Sequence, residues 1–163
     1  SWYYASRDLS IQLSVIFKVF MPRTYKVYKE RFDALVWIAY DVGPFNGRTV
    51  VYKLQLYAHV DPGEAGPTIS FSSGYFEGGY MEVPQLGARR LRYNSGSIFL
   101  APTGILAHRV APWTGVAVPA HLAARGITPG RIGTVYMFPR SSFNKAEGKK
   151  PGWGIRTGFG RIP

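Results

Sequence analysis

The sequence predicts an all-β fold, an antiparallel β-sandwich or jelly-roll-like fold that periodicity alone does not separate from a barrel, with one short helix and extended N- and C-terminal arms; a β-rich α+β fold is the alternative. Three observations predict it. The chain is rich in residues that favour strands, with 11 Tyr, 10 Phe and 4 Trp. Its 19 Gly and 12 Pro cut it into short pieces. Apolar and polar residues alternate in several of those pieces. About eight to ten strand-sized segments result.

Residues 9–20 alternate almost throughout, with Leu9, Ile11, Leu13, Val15, Phe17 and Val19 on one side, and read as a long half-buried strand ended by Pro22. Residues 25–29 form a second short strand. The apolar run 34–42 reads as a central strand. Asn46-Gly47 turns it into a hairpin with 49–60, whose Val50, Tyr52, Leu54, Leu56, Ala58 and Val60 share a face. After a loop at 61–67 come strands at 68–71, 80–83, 90–93, 97–101, 105–110 and 115–118. Residues 72–79, rich in Gly, Ser and aromatics, read as an ordered loop or bulged edge. Residues 120–125 form the one short helix, with Pro119 at its first turn and Gly126 past its end. A last strand spans 131–138. The chain therefore divides into an N-terminal arm (1–8), a β-sandwich domain (9–139) and a basic Gly/aromatic tail (140–163). It opens on Ser1 rather than Met, so a removed segment or a fragment of a longer protein is expected.

The net charge of +11 lies entirely in the second half. Residues 1–83 hold eight basic and eight acidic side chains; residues 84–163 hold twelve basic ones and Glu147. Such asymmetry points to a polyanion, nucleic acid or an acidic protein surface. Two clusters carry it. One is Arg89, Arg90 and Arg92, of which the last two share a face if the segment is extended. The other is Lys145, Lys149, Lys150, Trp153, Arg156, Phe159 and Arg161, where Gly-Trp-Gly and Gly-Phe-Gly set stacking rings on permissive backbone between cations. Over nine residues that tail resembles the Gly-rich loop of CRISPR repeat-associated RNA-binding proteins, whereas the rest of the chain does not read as βαββαβ.

Without cysteine, the chain has no disulfide framework, Cys-bound zinc or thiol nucleophile. No run of 18 apolar residues spans a membrane. Residues 84–146 hold no carboxylate, and no nucleophile elbow, Walker loop or dinucleotide fingerprint is present. The three histidines, His59, His108 and His121, show no metal-ligand spacing with one another. His59-Val60-Asp61 places an imidazole and a carboxylate on one side of a strand end. It could be a metal pair or half a catalytic dyad, and it reads as a surface histidine beside a turn aspartate. No catalytic residue, metal ligand or cofactor is assigned. The expected function is a non-enzymatic, self-assembling structural protein, a viral capsid- or filament-type homo-oligomer in a virion or extracellular assembly, its basic half on nucleic acid or an acidic neighbour. The alternatives are a single-stranded nucleic-acid- or RNA-binding module, and a small basic secreted ribonuclease using His59 and His108.

Overall fold

The computed structural model describes residues 2–87 and 89–158. In chain order its elements are α1 (Trp2–Ala5), α2 (Arg7–Phe20), α3 (Pro22–Leu35), β1 (Gly47–Tyr52), β2 (Thr68–Gly78) and β3 (Met81–Val83). There follow β4 (Arg89–Leu91), β5 (Ile98–Ala101), β6 (Arg109–Val110), β7 (Trp113–Gly115), α4 (Ala120–Ala123), β8 (Gly130–Met137), α5 (Arg140–Lys145) and α6 (Trp153–Arg156). They fall into two compact units, residues 1–47 with 137–163, and residues 48–136.

The first unit is helical, which corrects the strands expected over 9–20 and 25–29 and the central strand over 34–42. In α2 the buried positions are Ser10, Leu13, Ser14 and Phe17, a 3.6-residue period. The alternation that mimicked a strand arose because Val15, Val19 and Phe20 are apolar yet exposed. Pro22 starts α3 rather than ending a strand, since a first-turn proline has no N–H to lose. Tyr28, Phe32 and Leu35 then recur along one face. Phe17 packs against Tyr28 (5.4 Å) and Phe45 (4.8 Å), and Tyr28 against Phe138 (5.3 Å) and Phe143 (5.7 Å). Gly43 has φ +66°, and a Cβ there would lie 2.5 Å from the Phe32 ring, so glycine lets the chain after α3 pass closely over that ring. The basic C-terminal segment, as far as it is described, folds back on α3. Gly152 N–H donates to the Asp33 carbonyl (2.7 Å), and Arg31 pairs with Glu147 (2.9 Å).

The second unit carries the expected β structure, mostly antiparallel and in two sheets. One has the order β1-β8-β2-β5, with β7 also paired to β2; the other has the order β4-β3-β6. β2 is the hub, set antiparallel to β8, β5 and β7. It runs on through the Gly- and Ser-rich segment expected to be loop. The helix expected at 120–125 is α4, with Gly126 at φ +82° beyond it. Between the sheets Met81, Val83 and Tyr93 are buried, with Phe99, Leu106 and Val110 packed against them.

Candidate functional site

β2 presents Thr68, Ser70, Ser72 and Gly74 on one face, and the polar residues among them are buried. Directly opposite residues of an antiparallel pair share a face. Gly74 faces Arg131 and Ser72 faces Gly133 on β8, while Ser70 faces Phe99 on β5. Arg131, Ser70, Ser72 and Phe99 therefore line one wall. Gly133 makes room there: a Cβ would lie 3.2 Å from an Arg131 Nη atom.

Arg131 is 5% exposed, and no carboxylate pairs with it among the described residues. Its guanidinium lies 5.1 Å from the Tyr93 ring centroid and 6.0 Å from that of Phe76. Tyr93 and Ser70 share a hydroxyl–hydroxyl hydrogen bond of 2.8 Å. Burial pulls the arginine's pKa down from its ordinary value, with Tyr93 opposing, and burial raises that of Tyr93. Three polar atoms here are buried with no hydrogen-bond partner among the described residues: Arg131 Nε, Ser72 Oγ and Trp113 Nε1. Trp113 and Arg131 both flank Gly79. A dry cation among orphaned donors is costly unless an anion completes it.

The same interior leads to the histidines. Phe99 lies 6.4 Å from the Tyr93 ring and 6.4 Å from the His108 ring. His59 and His108 form an isolated antiparallel bridge, with N–H to carbonyl distances of 3.1 and 2.9 Å in the two directions. Their rings are 4.6 Å apart. His59 Nε2 lies 3.6 Å from Asp61 Oδ1, and His108 Nε2 lies 3.6 Å from Asp61 Oδ2. Asp61 is held by its own N–H, which donates to the Thr103 carbonyl (2.9 Å). Each imidazole places Nδ1 on the carbonyl two residues before it, His59 on Tyr57 (2.8 Å) and His108 on Leu106 (3.0 Å). With the proton on Nδ1, both Nε2 lone pairs are free for a metal, the usual outer-shell arrangement. One ligand atom from each of His59, Asp61 and His108 falls within 4.8 Å of the others. Two imidazoles and one carboxylate form the ligand set of non-haem iron(II) oxygenases, which leaves coordination positions open. Beside it, burial and then the charge of Asp61 push the Glu64 carboxyl up to about 7.

The sequence contained the His-X-Asp signal but read it as surface. Its missing partner is 47 residues away, and strand pairing alone supplies it. Arg131 carried no sequence signal, because nothing local announces a buried arginine. The residues assigned to nucleic acid lie in both units. Arg89, Arg90 and Arg92 are exposed on or beside β4. Lys145 shares an open cleft with Leu35, Trp37, Asn46 and Ser142. Lys149 lies over the Trp153 ring (5.3 Å), and Lys150 and Arg156 are exposed. Phe159 and Arg161 lie outside the described residues.

No protein-family model and no curated protein matches the sequence. Among solved structures the fold is similar to that of NgTET1 in complex with 5mC DNA, with a TM-score of 0.63 and 17% identity. The likeness covers 90% of this chain and 51% of that one, so the chain spans about half of its neighbour's length. This likeness overturns the expected non-enzymatic capsid- or filament-type subunit, and with it the viral, self-assembling description. The interior accords with that correction, since it gathers a buried arginine, orphaned donors and converging histidines. The homo-oligomer and the virion or extracellular location lose their support with it. Among the described residues no helix is long and apolar enough to cross a membrane.

Proposed function

We propose that this chain is the core of a non-haem iron(II) oxygenase that uses an organic acid as co-substrate and acts on nucleic acid. The observation that carries the reading is the convergence of His59 Nε2, His108 Nε2 and Asp61 on one point. Phe99 lies between that point and Tyr93, beside which Arg131 is buried with its Nε lacking a hydrogen-bond partner among the described residues. The histidine–aspartate set fits ferrous iron in donor type and number, and the orphaned donors fit an anion. His59, Asp61 and His108 would hold the metal, which when bound supplies dioxygen activation.

The chain's own residues do the rest. The Tyr57 and Leu106 carbonyls fix both imidazole tautomers. Arg131 presents a guanidinium to a carboxylate, and guanidinium and carboxylate match as two planar forks. Ser72 and Trp113 offer further donors near it. Phe76, Phe99 and Tyr93 keep that end apolar, which strengthens each charge interaction. A 2-oxo acid is the class that balances such an oxidation. One substrate C–H becomes C–OH, dioxygen supplies one oxygen to it and one to the acid, and the acid loses carbon dioxide. Support for a nucleic-acid substrate comes from the net charge of +11 and from the fold shared with a protein seen on 5mC DNA.

The test is anaerobic titration with iron(II), followed by 2-oxoglutarate as the trial acid, read by the visible absorption of the ternary complex. One equivalent of iron and acid-dependent absorption are expected. His108→Ala is expected to weaken iron binding by at least about tenfold, the loss of one of three protein ligands. Wild-type protein that binds no iron refutes the reading.

A further inference from the structure

β3 carries one buried acid between two strands that carry arginines. Glu82 faces Arg90 of β4 on one side and Arg109 of β6 on the other. Its side chain is 10% exposed, whereas those of Arg90 and Arg109 are 66% and 46% exposed. Each arginine reaches the carboxylate through Nε: Arg90 Nε donates to Oε1 (2.9 Å) and Arg109 Nε to Oε2 (2.5 Å). These bonds, that from Arg109 foremost, hold the carboxyl below its usual pKa range. A guanidinium has five N–H donors, and only the inner one of each is spent here. No Nη atom of either arginine has a protein acceptor among the described residues. One carboxylate therefore fixes two forks with their free edges toward solvent. Arg89 and Arg92, exposed beside them, have no acidic partner among the described residues. Two guanidinium groups thus share a single carboxylate on this small sheet, with Arg89 and Arg92 adding charge near β4.

We propose that Arg90 and Arg109, aligned by Glu82, form a clamp for the phosphodiester backbone of DNA. This rests on the nucleic-acid part of the reading above and extends it to a defined surface. The clamp has the planar, bidentate donor geometry that phosphate takes. Its rigidity distinguishes it from loose surface lysines, because two long side chains are ordered before any ligand arrives. Its position is close in sequence to the candidate metal centre, since Arg109 directly follows His108. An acidic protein surface would meet the same charge, but the DNA seen with the structurally similar protein favours phosphate.

The experiment measures anisotropy of a fluorescein-labelled 20-base-pair duplex with metal-free protein across a potassium chloride series. Arg90→Ala/Arg109→Ala is expected to weaken binding at least about tenfold and to lower the salt slope by about two, the share of two phosphate contacts. Arg23→Ala/Lys26→Ala, two exposed cations of α3, serves as the charge-matched control and is expected to change binding less than about threefold. Arg90→Lys/Arg109→Lys keeps the charge and removes the forks, so a loss of about threefold or more is expected. This pair also decides the matter if the alanine pair, which leaves Glu82 alone, does not fold. Duplex binding by wild type that neither arginine pair weakens overturns the clamp and leaves the oxygenase reading untouched. No duplex binding by wild type overturns the clamp together with the nucleic-acid substrate, while the iron titration still judges the metal centre. Tighter binding to poly-glutamate than to duplex overturns it in favour of an acidic protein partner.

Discussion

The two units differ in how much polarity they bury. The helical unit buries Leu13, Phe17, Tyr28, Phe32, Phe45 and Phe138, with Ser10 and Ser14 the polar groups among them. The β unit buries Ile69, Met81, Val83, Tyr93 and Tyr136, and adds to them Thr68, Ser70, Ser72, Thr103, Glu82 and Arg131. Apolar burial stabilises at roughly 25 cal/mol per Å². Polar burial returns little beyond its desolvation cost. The difference marks where a ligand would act: the proposed site draws on the interior that carries the polar groups.

Predictions follow from breaking that contrast. The largest effect is expected in the helical core. Phe17→Ala removes the ring that meets Tyr28 and Phe45, and should cost about 3–5 kcal/mol in chemical denaturation. Iron affinity of the molecules that remain folded should be unchanged, since His59, Asp61 and His108 belong to the other unit.

A smaller effect of opposite sign is expected at Arg131. Arg131→Met removes a buried charge that no acid neutralises among the described residues, and should raise stability by about 1–2 kcal/mol. The same change should abolish 2-oxoglutarate binding in the iron-loaded protein, measured by calorimetry. A variant that is destabilised and still binds the acid would mean that the arginine is structural.

The smallest effect concerns Glu64. Its carboxyl, pushed up to about 7, keeps its proton in the native state where the unfolded chain has already released it. The unfolded state then binds fewer protons, so stability falls as pH rises from about 4.5 to 7. For metal-free protein in a chelator, thermal melts across that window should decline. Glu64→Gln should flatten the decline by the order of 1 kcal/mol, roughly 2–4 °C.

The contrast also explains what the sequence disclosed. Strands near 68–71, 80–83, 97–101 and 131–138 were legible, because Gly and Pro bound them and β-branched or aromatic residues fill them. α2 was not: Leu13 and Phe17 satisfy both a two-residue and a 3.6-residue period, and exposed Val15 and Val19 tipped the count. The His59–Asp61 pair was visible as a spacing, whereas His108 joins it through a single bridge between distant segments. Arg90 and Arg92 stood out as charge. Arg109 did not, because only strand pairing sets it opposite Glu82 across β3 and β6.

Both site histidines are anchored by backbone only two residues upstream, so neither relies on the metal to choose its orientation. A vice of this kind is set before it is loaded. Stripping and recharging it need no refolding, and different divalent ions meet the same aperture. On the proposed reading, an abundant redox-silent ion that takes the same donors would silence the centre without loosening a single strand.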